Sequence, residues 1–234
     1  MQNLKLEEII NQDIWDFKNC PNNHDCENCE KHTCIKIVAV VDFPSKFGLF
    51  QIVGFVNNKD KKEHIAIVKG DLNKGKDILT RVHSACLTGD ALGSLRCDCG
   101  PQLAQALSMI EKEEKGIVIY MQQEGRGIGL LNKLRAYALQ DNGFDTYDAN
   151  IALGFRADQR DYEVAGEILE KLGVKSIRLI TNNPEKIKQL ENYITISERI
   201  PLELPIQEYN IDYMQTKKTR FGHFLSIHSK NKTH

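Results

Sequence analysis

The chain has 234 residues, enough to bury a full core as one large domain or two small ones. Hydrophobic residues make up 41% and charged residues 27%, and the formal net charge of -1 leaves no global basic field to gather nucleic acid. No apolar run approaches the roughly 18 residues of a membrane span, and the acidic, amphipathic MQNLKLEEIINQDIWDF has no secretory-leader pattern.

The expected setting is therefore the reducing cytoplasm, where grouped cysteines bind metal or do chemistry more often than they form disulfides. Residues 1–35 are polar and cysteine-rich and read as an appended N-terminal extension. IKIVAVVDF (35–43), GLFQIVGFV (48–56) and EHIAIVKG (63–70) have strand character and suggest an antiparallel start. Residues 81–100 show no simple period and are punctuated by Gly and Asp, as in a loop-rich site. PQLAQALSMIEKEEKG then reads as a helix, with Pro101 in its first turn, Leu103, Leu107 and Ile110 on one face, and Gly116 at its end. GIVIYM (116–121) is a buried strand, LLNKLRAYALQDNG (130–143) a second helix and DYEVAGEILEKLG (161–173) a third. SIRLITNN (176–183) is a strand, and Asn183 with Pro184 opens a fourth helix. Strands alternating with helices predict an α/β (α+β mixed) fold. The last 30 residues show little period and read as an arm, with 228–234 as a polar C-terminal tail.

Seven cysteines fall into two groups. Cys86, Cys97 and Cys99 sit among polar residues. They are either small buried hydrophobes or three ligands of one ion. Three protein ligands leave zinc an open fourth position, the catalytic pattern, whereas a fourth ligand such as His83 would make the site structural. Three thiolates also donate much negative charge, so a neighbouring base or substrate charge is needed to keep a bound water acidic.

QQEGRGIGL (122–130) joins a strand to a helix without a G-x-G-x-x-G pattern. Its Gly-Arg-Gly either brings amides and a guanidinium to a phosphate or is a plain turn. LGFRADQRDY (153–162) sets Asp158 beside Arg160, with a surface salt bridge as the plain alternative. ITNNPEK (180–186) ends a strand where open α/β sheets bind ligands, and Lys186 in the next helix's first turn is either an anion ligand or a solvent-facing lysine. From these residues the chain reads as a metal hydrolase acting on a phosphorylated small molecule.

RVHSACLTGDALGSLRCDCGPQL, YMQQEGRGIGLLNKLRAYALQDNGFDTYDAN, LGFRADQRDY and LITNNPEK, in this order and closed by TKKTRFGHFL, resemble GTP cyclohydrolase II of riboflavin biosynthesis over residues 36–227. The resemblance implies that family's fold, a mixed sheet flanked by helices. It implies conversion of GTP to 2,5-diamino-6-ribosylamino-4(3H)-pyrimidinone 5′-phosphate, formate and pyrophosphate. It further implies a catalytic zinc on Cys86, Cys97 and Cys99, magnesium with the triphosphate, and a homodimer, with no nucleic-acid or membrane partner. By match to the family, Asp158 is the proton acceptor, Arg160 the nucleophile at the α-phosphate, and Tyr137 lies near the guanine. A guanidinium is a poor nucleophile, so stabilising phosphoryl charge is the easier role for Arg160. The GTP-contact positions match Arg81, Val82, His83, Ser84, Ala85, Gln102, Glu124, Gly125, Arg126, Thr146, Thr181 and Lys186.

Two residues depart from that pattern. Ala85 stands where the family has a glutamate beside the zinc, and Gln122 where it has an arginine expected near phosphate. The other cysteines, Cys20, Cys26, Cys29 and Cys34, lie outside the pattern; they suit a second, structural zinc, with an iron–sulfur cluster or unligated thiols as alternatives. A diverged GTP sensor and a zinc-stapled nucleic-acid module are the rival functions. The -1 charge and the lack of basic-aromatic interleaving count against the second.

Overall fold

The computed structural model describes residues 13–17 and 33–227. Of the four N-terminal cysteines, Cys20, Cys26 and Cys29 lie outside the described residues, as does the 228–234 tail. Cys34 is described and half-buried, and its backbone N–H donates to Asn58 Oδ1 at 2.8 Å.

Seven strands form one mixed sheet: β1 (Ile35–Ser45), β2 (Gly48–Asn57), β3 (His64–Lys69), β4 (Ile78–Ser84), β5 (Gly116–Met121), β6 (Ser176–Ile180) and β7 (Thr195–Ile200). Their spatial order is β1-β2-β3-β5-β4-β6-β7. The run from β1 to β5 is antiparallel, as the short turns between the first three strands dictate. From β5 through β4 and β6 to β7 the sheet is parallel. Parallel neighbours need long crossovers, and helices supply them. The helices are α1 (Cys99–Glu113), α2 (Leu130–Gln140), α3 (Thr146–Ala152), α4 (Glu163–Lys171), α5 (Pro184–Leu190) and α6 (Ile211–Phe221).

The two faces of the sheet are read off by alternation along β5. Ile117, Ile119 and Met121 pack in one cluster with Val164, Ile168 and Leu169 of α4 and Leu190 of α5. Val118 points the other way, into a cluster with Ala106, Leu107 and Ile110 of α1. A strand covered on both faces must be apolar throughout, which is why GIVIYM shows no polar alternation. Each fully buried side chain here contributes roughly 1.5–3 kcal/mol.

The antiparallel start and the first, second, third and fourth predicted helices all stand, with shifted ends. α1 stops at Glu113 and turns through Glu114 in a left-handed conformation (φ 57°); Gly116 begins β5 instead. Asn183 caps α5, accepting from Glu185 N at 3.0 Å, with Pro184 following.

Three elements correct the sequence reading. Residues 81–100 are not all loop, because β4 runs to Ser84; Arg81 and His83 hide its strand pattern, yet both are buried. β7 (TISERI) is a largely polar strand at the end of the sheet. The last 30 residues are not simply an arm, because they hold α6. That helix buries Met214, Thr216 and Lys217, so its inner face carries too few apolar residues to show a period.

Candidate active site

β4, β5 and β6 run parallel, and the segments leaving their carboxyl ends line one cavity: Ser84 to Cys86, Gln123 to Arg126, and Thr181 to Asn183. Open α/β sheets bind ligands at this edge because the strand ends release loops and helix starts toward one point.

At one part of the cavity the three thiols converge. Cys86 follows β4, and Cys97 and Cys99 sit at the start of α1. Their sulfurs lie within 4.8 Å of one another, and Cys86 Sγ is 3.7 Å from Cys97 Sγ. Thiolates about 2.3 Å from a tetrahedral zinc stand roughly 3.8 Å apart, so the triad fits that ion. A Cβ on Gly89 would come within 2.7 Å of Cys97 Sγ and 3.1 Å of Cys86 Sγ, so the turn behind the sulfurs requires glycine. Hydrogen bonds from Cys97, Cys99 and Lys133 hold the Cys86 thiol well below its ordinary range, while the Cys99 thiol is pushed well above. The three sulfurs are close enough to hydrogen-bond to one another, and a divalent cation would take all three as thiolates.

His83 is not a fourth ligand. Its Nε2 lies 3.1 Å from both oxygens of Asp90, and its ring stacks on Tyr120, its β5 neighbour, at 5.5 Å. Asp90 also accepts from Tyr120 Oη at 2.8 Å and from Cys86 N at 3.0 Å, so it fixes the loop that presents Cys86. Among the described residues the cluster has three members, so a tetrahedral ion held there would keep one position open.

Asp98, between Cys97 and Cys99, links this centre to the basic part of the cavity. It accepts from Lys217 Nζ of α6 at 2.5 Å and from Gln102 Nε2 at 2.6 Å. Gln102 Oε1 in turn accepts from Arg81 Nη2 at 2.5 Å. Arg81 Nε is buried with no hydrogen-bond partner among the described residues. Lys186 is 4% exposed, and its Nζ donates to the Val82 carbonyl at 2.6 Å. Burial, with Arg81 and Arg160 nearby, pushes its pKa well below the ordinary lysine value. His223 is pushed down to about 2 by burial and by Lys217, Arg160 and Arg126. So many cations facing one buried space repel each other and call for a polyanion.

Arg126 takes a left-handed conformation (φ 60°), and its guanidinium lies 4.0 Å from the Phe221 ring centroid. Its Nη1 is buried with no hydrogen-bond partner among the described residues. Gly127 (φ 92°) brings this loop against Gln159, where a Cβ would meet Gln159 Cβ at 3.1 Å. That contact seats the 124–127 turn on the 158–160 loop. There Arg160 grips Asp158 with its fork, Nε donating to Oδ1 at 2.9 Å and to Oδ2 at 3.1 Å. Burial works to raise the Asp158 pKa, but the guanidinium outweighs it and holds the carboxyl below its ordinary value.

Most residues singled out from the sequence meet here. Arg81, His83, Ser84, Ala85, Gln102, Glu124, Gly125, Arg126, Tyr137, Thr146, Arg160, Thr181 and Lys186 line the cavity with the thiols. Val82 does not, because its side chain is fully buried in the core and only its carbonyl reaches Lys186. Asp158 sits behind Arg160 rather than on the wall. Gln122 is exposed and does not line the cavity. Asp90 is the loop-shaping residue expected from the sequence, whereas Lys133 and Asp98 were missed as site residues. Lys133 shares the buried face of α2 with Ala136, and a lysine on such a face was the available signal.

The profile of the GTP cyclohydrolase II family matches residues 36–201. A riboflavin biosynthesis protein RibBA from Bacillus cereus is 50% identical over 94% of this chain, which covers 59% of that protein. The RibBA of Bacillus cytotoxicus is 54% identical over 80% of the chain and 47% of its own length. The chain thus spans about half the length of these relatives. The chain belongs to the GTP cyclohydrolase II family.

Proposed function

We propose that the chain hydrolyses GTP to 2,5-diamino-6-ribosylamino-4(3H)-pyrimidinone 5′-phosphate, formate and pyrophosphate, the first step of riboflavin biosynthesis. The observation that carries this reading is a three-thiol centre and a set of buried, under-neutralised cations opening into one cavity. The first suits a hydrolytic metal and the second a triphosphate. Cys86, Cys97 and Cys99 would hold zinc, which supplies Lewis acidity toward water at C8 of the guanine.

The chain's own residues do the rest. Arg81, Arg126, Lys186 and Lys217 neutralise the triphosphate, whose arrival favours the charged form of Lys186 that burial opposes. Magnesium accompanies it, a hard cation on phosphate oxygens. Arg160 keeps its charge throughout, so it stabilises charge on the α-phosphoryl oxygens as pyrophosphate leaves, instead of attacking. Asp158 fixes the guanidinium's plane by the two-point contact. Tyr137, with its hydroxyl 3.3 Å from Thr88 Oγ1, borders the thiol centre and orients the guanine.

Residues 36–227 form the catalytic unit of this reading, preceded by the 1–35 extension. A homodimer is part of it, supported by exposed Leu131 and Leu134 on one side of α2 and Ile151 on α3. No described helix is long and apolar enough to cross a membrane.

The test is incubation of zinc-loaded protein with GTP and magnesium, with formate, pyrophosphate and the pyrimidine followed by mass spectrometry. All three are expected. GTP binding without any product would overturn the enzyme in favour of a nucleotide sensor, with Ala85 the first residue to revert. Formate without pyrophosphate would overturn the role given to Arg160.

A further inference from the structure

Lys133 has a buried side chain that nothing in the proposed GTP chemistry uses. It is 8% exposed, and a buried ammonium is costly unless its donors are taken up. Its Nζ donates to Cys86 Sγ at 3.0 Å and to Glu124 Oε1 at 2.7 Å. Glu124 is itself pinned, because its other oxygen accepts from Leu87 N at 2.6 Å, on the residue after Cys86. The carboxylate therefore aims the ammonium at one sulfur, on the same loop that presents that sulfur.

We propose that Lys133 is a positioning residue that tempers Cys86 as a metal ligand, drawing lone-pair density from its sulfur so that a metal on the triad stays electrophilic. The proposal rests on reading the thiol triad as the metal centre of GTP ring opening. Three thiolates would otherwise donate enough charge to blunt a divalent ion's Lewis acidity. A charged N–H on one of them reduces that donation without changing the ligand set, and such outer partners typically shift metal affinity or activity by about 10–100-fold. Among the described residues no lysine or arginine donates to Cys97 Sγ or Cys99 Sγ, which makes Cys86 the tuned member of the set.

The experiment replaces the metal with cobalt(II) in full-length protein and records the sulfur-to-cobalt charge-transfer band, alongside cobalt content and formate release. A hydrogen bond lowers the energy of the sulfur lone pairs, so losing it shifts the band to longer wavelength. Lys133→Met is expected to keep one cobalt per triad, move the band to longer wavelength and cut formate release by about 10–100-fold. Lys133→Arg, which retains an N–H donor, is expected to hold the band near its original position. A Lys133→Met band at the original wavelength overturns the proposal. If Lys133→Met does not fold, Glu124→Gln loosens the ammonium without removing it; a band unmoved there overturns the proposal equally. No sulfur-to-cobalt band in the unsubstituted protein would instead sink the metal reading on which the proposal depends.

Discussion

Arg160 and Asp158 define the clearest test at the scale of single residues. Arg160→Lys preserves the positive charge but loses the planar fork that meets Asp158 through both Nε and Nη2. Pyrophosphate release is expected to slow by about 10²–10³-fold, as for other lost electrostatic contacts to a transition state. Circular dichroism should be unchanged, and an unimpaired rate would remove Arg160 from the phosphoryl step. The sequence places these two residues two apart in one loop, where a surface ion pair is the plainer reading until the family resemblance is taken into account. What decides between them is that the guanidinium lines the cavity with Lys186 and Arg81.

Elements are held by what they bury, and α4 is the plainest case. Ile168 is fully buried against β5, so Ile168→Ala leaves a cavity and is expected to cost about 2–5 kcal/mol in urea denaturation. A cost under 1 kcal/mol would mean that α4 does not close this face. The β2–β3 turn carries a pH-sensitive contribution. Burial alone would raise the Asp60 pKa, but hydrogen bonds from His64 and Asn57 bring it down from 3.8 to about 2. A depressed carboxyl contributes stability that is whole above 3.8 and is lost as pH falls toward 2, about 2 kcal/mol in all. Denaturation midpoints measured from pH 5 to pH 2 should fall more steeply for the natural chain than for Asp60→Asn. Parallel curves would show that the turn adds nothing. His64 also accepts from Gln122 N at 3.1 Å, so this turn steadies the start of the 122–127 loop as well.

For the whole molecule, the metal centre ties together parts distant in sequence: the end of β4, the start of α1 and, through Lys133, α2. A ligand bound only by the folded state stabilises it by mass action, by about 2.7 kcal/mol at a hundredfold excess over Kd. Chelation is therefore expected to lower the melting temperature by roughly 5–10 °C, reversed by adding zinc. An unchanged melting temperature after complete metal removal would argue against a pre-organised three-thiol site.

The sequence by itself determined the alternation of strands and helices, the cap at Asn183, the two cysteine groups and the ordered motifs that name the family. These are local or strongly periodic signals, and a helix cap or an apolar strand needs no knowledge of its neighbours. Tertiary structure alone decided that β4 is a central strand despite Arg81 and His83, since their polar side chains gather at the cavity while Val82 faces the core. It alone made α6 part of the site, carrying Lys217 to Asp98 over 119 residues of chain. It also turned His83 away from the thiols and Lys133 onto one of them. Such assignments depend on which polar groups meet in the interior, and a buried charge chooses its partner by proximity in space, which no spacing along the chain encodes.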